Sequence, residues 1–200
     1  MEVLFKDENI IVCVKPVGVD SEHEMPQLLI SEHGGEIFTL HRLDKNVGGV
    51  MVFARNKQTA ALFSRLIQEG CLIKEYLAVV HGVPEEQAVL EDLLWKDSKK
   101  NKVFVVKSER KGVKRASLEY ERIAVRDDKS LVHITLHTGR SHQIRVQFSS
   151  RKFPLVGDHK YGSRDERVNP LLFSSKITFP YKGERLSFSS EPEFAKEMQN

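Results

Sequence analysis

Apolar and polar positions alternate in short blocks along most of this chain. Residues 3–5 and 10–14 (IIVCV) predict two short strands, the second apolar throughout and therefore buried. Lys15-Pro16-Val17-Gly18 breaks that strand. Residues 26–33 suggest a short helix, stopped by Gly34-Gly35. Phe38 to Leu40 leads into the polar segment HRLDKNVGG, and Val50 to Ala54 (VMVFA) reads as another buried strand. The clearest helix follows. Asn56 can accept an orphan backbone N–H at its start. Ala60, Phe63, Leu66 and Ile67 recur at helical spacing, and Gly70 stands where a left-handed terminal residue belongs.

Residues 71–80 read as a strand containing Tyr76, closed by the turn His81-Gly82-Val83-Pro84. Residues 103–106 and 116–125 predict a hairpin joined by the basic turn SERKGVKR, and residues 130–137 (SLVHITLH) a half-buried strand. Residues 141–150 fit two periods. Ile144, Val146 and Phe148 recur at two, Ile144 and Phe148 also at four, and Ser141 as a cap favours helix. The tail, 171–188, predicts two short strands joined by Tyr181-Lys182-Gly183. Many strands and few helices predict an α+β fold on a mainly antiparallel sheet.

Composition narrows the class. Leu, Ile, Val and Phe make up 61 of the 200 residues, which excludes a disordered chain. The length suits one domain, and no apolar run reaches the ~20 residues that span a bilayer. Acids appear early, with no basic region ahead of an apolar core, so the N-terminus does not read as a signal peptide. Cys13 and Cys71, each in an apolar stretch, read as reduced core residues in a cytoplasmic protein. The net charge of +3 hides a polarity. Residues 1–40 carry −6, residues 96–115 carry +7 and residues 139–167 carry +4. A local basic stripe suits a phosphate-backbone partner, although a solvated charged hairpin would look the same.

Three segments could carry chemistry. Asp44, in His41-Arg42-Leu43-Asp44 just before Gly48-Gly49, is a loop carboxylate framed by buried strands, suited to act as nucleophile or general base. Its plainer reading is a solvent-facing acid paired with Arg42. Thr138-Gly139-Arg140-Ser141-His142-Gln143-Ile144-Arg145 gathers two guanidiniums, an imidazole and an amide, groups that fork onto carboxylate or phosphate; a polar surface turn ahead of a capped helix is the alternative. Tyr76 is either a core aromatic or a stacking platform for a base. His133, His137 and His142 do not converge in a strand-plus-turn context, so no metal site is expected.

Four segments in order resemble the RluA-type pseudouridine synthases: IIVCVKPVGV, HRLDKNVGGVMVFA, KEYLAVVHG and TGRSHQIRVQFSSRKFPLVGDHKYG. The resemblance implies a single catalytic domain over 1–200, with a long twisted, mainly antiparallel mixed sheet flanked by helices and loops. It implies no small N-terminal RNA-binding domain of the kind many members carry. It further implies isomerisation of uridine to pseudouridine in structured tRNA or rRNA, without cofactor or metal, by a protein expected to be monomeric. Asp44 would be the catalytic carboxylate acting on a flipped nucleotide, Arg145 its guanidinium partner, and Tyr76 the stacking aromatic. Ile144 would pack on the other face of the base, and Arg42 would fill the gap left in the RNA stack. Leu43, Gln143 and Arg140 would complete the substrate site, with Lys99, Lys100 and Lys102 on phosphates. Two departures stand out. Val47-Gly48 replaces the usual Thr-Ser pair, removing two hydroxyls that could fix the loop, and Phe173 stands where a His is common. A non-catalytic RNA-binding module on the same scaffold, or a small-molecule glycosidase using Asp44, are the competing readings; the latter would need a second cleft carboxylate.

Overall fold

The structure, a computed structural model, describes residues 1–199. Its elements begin with β1 (Val3–Lys6), β2 (Ile10–Lys15), α1 (Glu24–His33), β3 (Phe38–Thr39), β4 (Gly48–Ala54), α2 (Lys57–Gln68), β5 (Ile73–His81) and β6 (Gln87–Asp97). They continue with β7 (Lys102–Val106), β8 (Val113–Arg126), β9 (Lys129–Leu136), α3 (Gln143–Ser150), β10 (Leu172–Tyr181), β11 (Glu184–Ser189) and α4 (Glu193–Gln199), with a 3-10 turn at His159–Tyr161. The class is α+β. No helix among the described residues is long and apolar enough to cross a membrane. Two compact units emerge: Met1–Lys74 with Phe173–Glu191, and Glu75–Leu172 with the segment from Pro192 onward.

In the first unit the strands run in the order β1-β2-β4-β10, with β3 also on β4 and β11 on β10. All of these pairs are antiparallel except β4 with β10, which makes the sheet mixed. Every residue of β4 is buried, as its unbroken apolar run requires. Gly49 has φ +130°, and a Cβ there would lie 2.4 Å from the Ser174 carbonyl oxygen, so only glycine lets β10 approach. The core gathers Ile10, Val12, Val50, Val52, Phe63, Ile177 and Phe179. Phe63 comes from α2, whose start is capped as expected: the Asn56 side chain accepts from the Thr59 N–H at 2.9 Å. Its ring stands edge-on to Phe179 at 5.0 Å.

The second unit orders its strands β5-β9-β8-β6-β7. This corrects the expected hairpin. Residues 103–106 and 116–125 are not partners; each pairs with β6, on opposite edges. The doublets Glu91-Asp92 and Leu93-Leu94 blur the period of two in β6 and concealed it. Two cores form, one around Leu77, Val79, Leu131, Val156 and Ala195, the other around Leu94, Val103, Ala116, Val146 and Tyr161. The helix at 143–150 is present, but Ser141 is not its cap. His142 stands there in the left-handed region, at φ 51°, with no capping side chain. The turn is held instead by Gln143, whose Oε1 accepts from the Thr138 hydroxyl at 2.8 Å and the Arg140 N–H at 3.0 Å.

Cys13 is fully buried and Cys71 only half-buried, and neither forms a disulfide. Burial pushes the Cys13 thiol up to about 12, so it stays protonated.

Candidate active site

The backbone of the Asp44 loop is tied down at Leu43, Asp44, Lys45 and Val47. The Ser21 hydroxyl, itself buried, donates to the Leu43 carbonyl at 2.9 Å and accepts from the Leu43 N–H at 3.3 Å. The Asp44 carbonyl accepts from the Val47 N–H at 2.9 Å, closing a turn. The Lys45 carbonyl accepts from the Gly18 N–H at 2.8 Å and from Lys15 Nζ at 3.3 Å. Lys15 is 0 % exposed, and its ammonium also donates to the carbonyls of Pro16 and Val19. The strand-breaker Lys15-Pro16 is thus also a clamp: a buried cation must find acceptors, and it finds the carbonyls of Pro16, Val19 and Lys45. The Arg42 guanidinium reaches the Glu22 carboxylate at 2.8 Å, both side chains exposed.

Electrostatics at this loop follow from burial. Burial lowers the Lys15 pKa to about 8, against the pull of Asp20, Asp44 and Glu24. At neutral pH it therefore remains mostly cationic. His41 Nε2 accepts from the Val52 N–H at 3.2 Å, so the ring is the neutral Nδ1–H tautomer, and burial, helped by Lys74, pushes its pKa down to about 3.

The unfolded chain takes up this proton near pH 6.5 and the folded chain only near 3, so folding stability falls as pH drops through that window. Asp7 acts lower. Burial raises its pKa, but hydrogen bonds from Tyr181, the Ile10 and Asn9 N–H groups and Lys182 outweigh this and bring it to about 2. Its contribution is lost only as pH falls below about 4. Between pH 7 and pH 5 the wild type should therefore lose about 1–2 kcal/mol more stability than His41→Gln. Urea midpoints at the two pH values measure this; equal losses would contradict it.

In the second unit Tyr76, Gln143, Ile144 and Arg145 are all buried. Arg145 forks onto Asp158, Nε to Oδ2 at 2.7 Å and Nη2 to Oδ1 at 2.8 Å, and its guanidinium lies 5.1 Å from the Tyr161 ring centroid. Tyr161 is itself anchored: its hydroxyl accepts from the Val103 N–H and bonds His142 Nδ1, both at 2.8 Å. Gln143 spends its amide inside the protein, its Nε2 donating to the Ser117 carbonyl at 3.0 Å. Arg140 is exposed, with Nε donating to the Arg115 carbonyl at 2.9 Å. Lys99 and Lys100 are exposed, and Lys102 is half-buried beside the Phe104 and Tyr161 rings. Asp158, Tyr161, Lys15 and Ser21 were not singled out by sequence reasoning, although the first two lie in the quoted segment GDHKYG and Lys15 in KPVG.

The three imidazoles considered for metal go to different partners: His133 to Glu75, His137 to Glu119 and His142 to Tyr161. A further Ser-His-Asp set, His81, Ser163 and Asp165, is a loop clasp. Ser163 Oγ and Asp165 Oδ2 both sit 3.0 Å from the same nitrogen, His81 Nε2, and Ser163 donates to Asp165, so the ring cannot relay a proton between them.

Comparison with known proteins bears on this geometry. The family profile described as RNA pseudouridylate synthase matches residues 9–150, spanning both the Asp44 loop and α3. The chain belongs to this family. It is 28 % identical over 190 residues to a ribosomal large subunit pseudouridine synthase D of Zymomonas mobilis, covering 87 % of this chain and 60 % of that protein. It is 29 % identical over 187 residues to a tRNA pseudouridine synthase C of Haemophilus ducreyi, covering 81 % and 74 %. The chain thus spans about 60 % of the length of the first of these relatives. The solved human RNA pseudouridylate synthase domain containing 4 superposes with a TM-score of 0.81 at 26 % identity, over 96 % of this chain and 89 % of that one.

Within the pseudouridylate synthase frame the two departures noted in the sequence meet. Gly48 and Phe173 are register partners in the parallel β4–β10 pair. A Cβ on Gly48 would lie 3.3 Å from the Phe173 ring and 3.2 Å from the Lys15 carbonyl oxygen. A side chain at 48 would fit only if the ring and its neighbours gave way by a few tenths of an ångström. Without those two hydroxyls, the loop takes its tethers from Ser21, Gly18 and Lys15.

Proposed function

We propose that this chain isomerises uridine to pseudouridine in structured rRNA or tRNA, with Asp44 as the catalytic carboxylate. The observation that carries the reading is the clamped Asp44 loop, a preorganised carboxylate beside a buried cation, in a chain of this family. Asp44 acts on the flipped nucleotide, the N-glycosidic bond breaks, and the freed uracil turns and rejoins through C5. Arg145 is its guanidinium partner, oriented by Asp158. Tyr76 stacks on the uracil and Ile144 packs on its other face. Arg42, with Leu43 behind it, fills the vacated stack, because extrusion costs a few kcal/mol that stacking must offset. Gln143 positions the 138–143 turn that carries Arg140. The enzyme works in the cytoplasm as a monomer, without cofactor or metal. The relatives' names, one for the large ribosomal subunit and one for tRNA, support both substrate classes.

Mapping pseudouridine in total RNA from cells with and without this protein tests the reading. One or more rRNA or tRNA sites should vanish in its absence and return when the purified protein meets the matching transcript. An unchanged map, with no product on any transcript, would overturn it.

Lys99, Lys100 and Lys102 lie in the most basic stretch of the chain, residues 96–115, which carries +7. Changing all three to Gln should weaken RNA binding across sequences and lower the log–log salt slope by roughly 2. Fluorescence anisotropy from 50 to 200 mM salt measures it; an unaltered slope would remove these lysines from the interface.

A further inference from the structure

Along β6 and β7 the side chains alternate. Leu94 and Val103 point to the core with Val146 and Tyr161, while Trp95 and Phe104 stand on the opposite face. These two aromatics are direct cross-strand partners, with ring centroids 6.3 Å apart and planes 31° apart. Phe104 is 36 % exposed. Cations lie over the rings: the Arg110 guanidinium is 4.7 Å from the Trp95 centroid and Lys102 Nζ 5.8 Å from that of Phe104. The surrounding segment, residues 96–115, holds nine bases against two acids, one of which, Glu109, is already paired with Arg115 at 2.7 Å. Both rings stand on the face away from the core formed by Leu94, Val103 and Val146, with Trp95 half-buried.

We propose that Trp95 and Phe104, with Arg110 and Lys102 over their rings, form a stacking platform for an unpaired base of the RNA. The inference rests on the RNA reading above and adds a second contact of a different kind, base stacking beside phosphate neutralisation. Charge decides the partner class: a +7 segment selects a polyanion, and the flat aromatic faces select a polyanion that offers exposed rings, which single-stranded RNA does and a duplex does not. Arg110 can leave the indole for a phosphate as a base takes its place, since both contacts use the same planar cation.

Trp95 is the only tryptophan in the chain, so its emission reports on this one position. Single-stranded oligo(A) of twelve nucleotides, and a twelve-base-pair RNA duplex, serve as probes, with binding followed separately by anisotropy of labelled RNA. The single strand should quench Trp95 strongly at saturation and the duplex should not. Phe104→Ser should bind oligo(A) about ten-fold more weakly, while Trp95→Phe, which keeps a ring, stays within about three-fold of wild type. Urea unfolding of each variant confirms that the sheet is intact. Oligo(A) binding without quenching, equal quenching by duplex, or undiminished affinity in Phe104→Ser would each overturn the platform. If Asp44-dependent pseudouridine formation persists in that case, only the platform falls; if neither RNA binding nor product is found, the synthase reading falls with it.

Discussion

Asp44→Ala should abolish pseudouridine formation, lowering turnover by at least about 10⁴-fold, while RNA affinity and the urea midpoint stay close to wild type. The separation follows from how the loop is built. Its bonds run through the backbone of Leu43, Asp44 and Lys45 and through the side chains of Ser21 and Lys15, not through the Asp44 carboxylate alone. Removing the carboxylate therefore leaves the turn closed. Asp44→Asn keeps the shape and loses the charge, so it should be as inactive as the alanine form. Single-turnover assays on an rRNA or tRNA substrate, beside anisotropy on the same RNA, measure both quantities. Residual activity within ten-fold of wild type would show that another group does the chemistry. Lost RNA binding would show that the carboxylate serves the fold or the interface.

Asp158→Ala should lower stability by about 3 kcal/mol and depress activity as well. Asp158 is 1 % exposed and accepts from both Nε and Nη2 of Arg145, whose side chain is 9 % exposed. Removing one partner of a buried ion pair leaves the other charge desolvated without that carboxylate, which typically costs about 3–5 kcal/mol. Replacing both charges with apolar groups of similar volume avoids that penalty, so the pair Asp158→Leu with Arg145→Met should recover most of the stability. It should not recover turnover, because the guanidinium is gone. Arg145→Lys should also lose more activity than stability, since a point charge cannot reproduce the fork. Urea midpoints with product formation measure each case. A double variant as unstable as Asp158→Ala, or an Asp158→Ala protein of wild-type stability, would contradict this account of the pair.

Much of the local structure was legible in the sequence because its causes are local. The apolar runs of β2 and β4, the Asn56 cap, the spacing of Phe63 and Ile67 and the left-handed Gly70 depend on residues within a turn of one another. The Tyr181-Lys182-Gly183 turn is of the same kind, with Lys182 at φ 50° and Gly183 at φ 84°. The family signatures were legible for a related reason, since each is one continuous segment. The hairpin error came where partners are distant. Strands 103–106 and 116–125 both carry strand patterns, yet nothing in them says that β6 lies between. Ser141 has the composition of a cap, but Gln143 already satisfies the turn through Thr138 and Arg140.

The candidate site divides in the same way. Asp44, Tyr76 and Arg145 stand out by residue type and motif, and the basic stretch 96–115 by charge. Their neighbours could not be read in this way. Lys15 contacts the loop 30 residues away, Ser21 reaches Leu43 across 22, and Asp158 meets Arg145 across 13. Gly48 and Phe173 are 125 positions apart in the chain and share one gap. By itself the sequence determined which elements form, which segments carry reactive groups and which surface is basic, since these are properties of short stretches and of counted charges. Only the tertiary structure decided which buried cation holds the Asp44 loop, which carboxylate aims Arg145 and which aromatics are left on the outer face of β6 and β7. Those outcomes depend on strand order and close approach, and a linear pattern of apolar and polar residues carries neither.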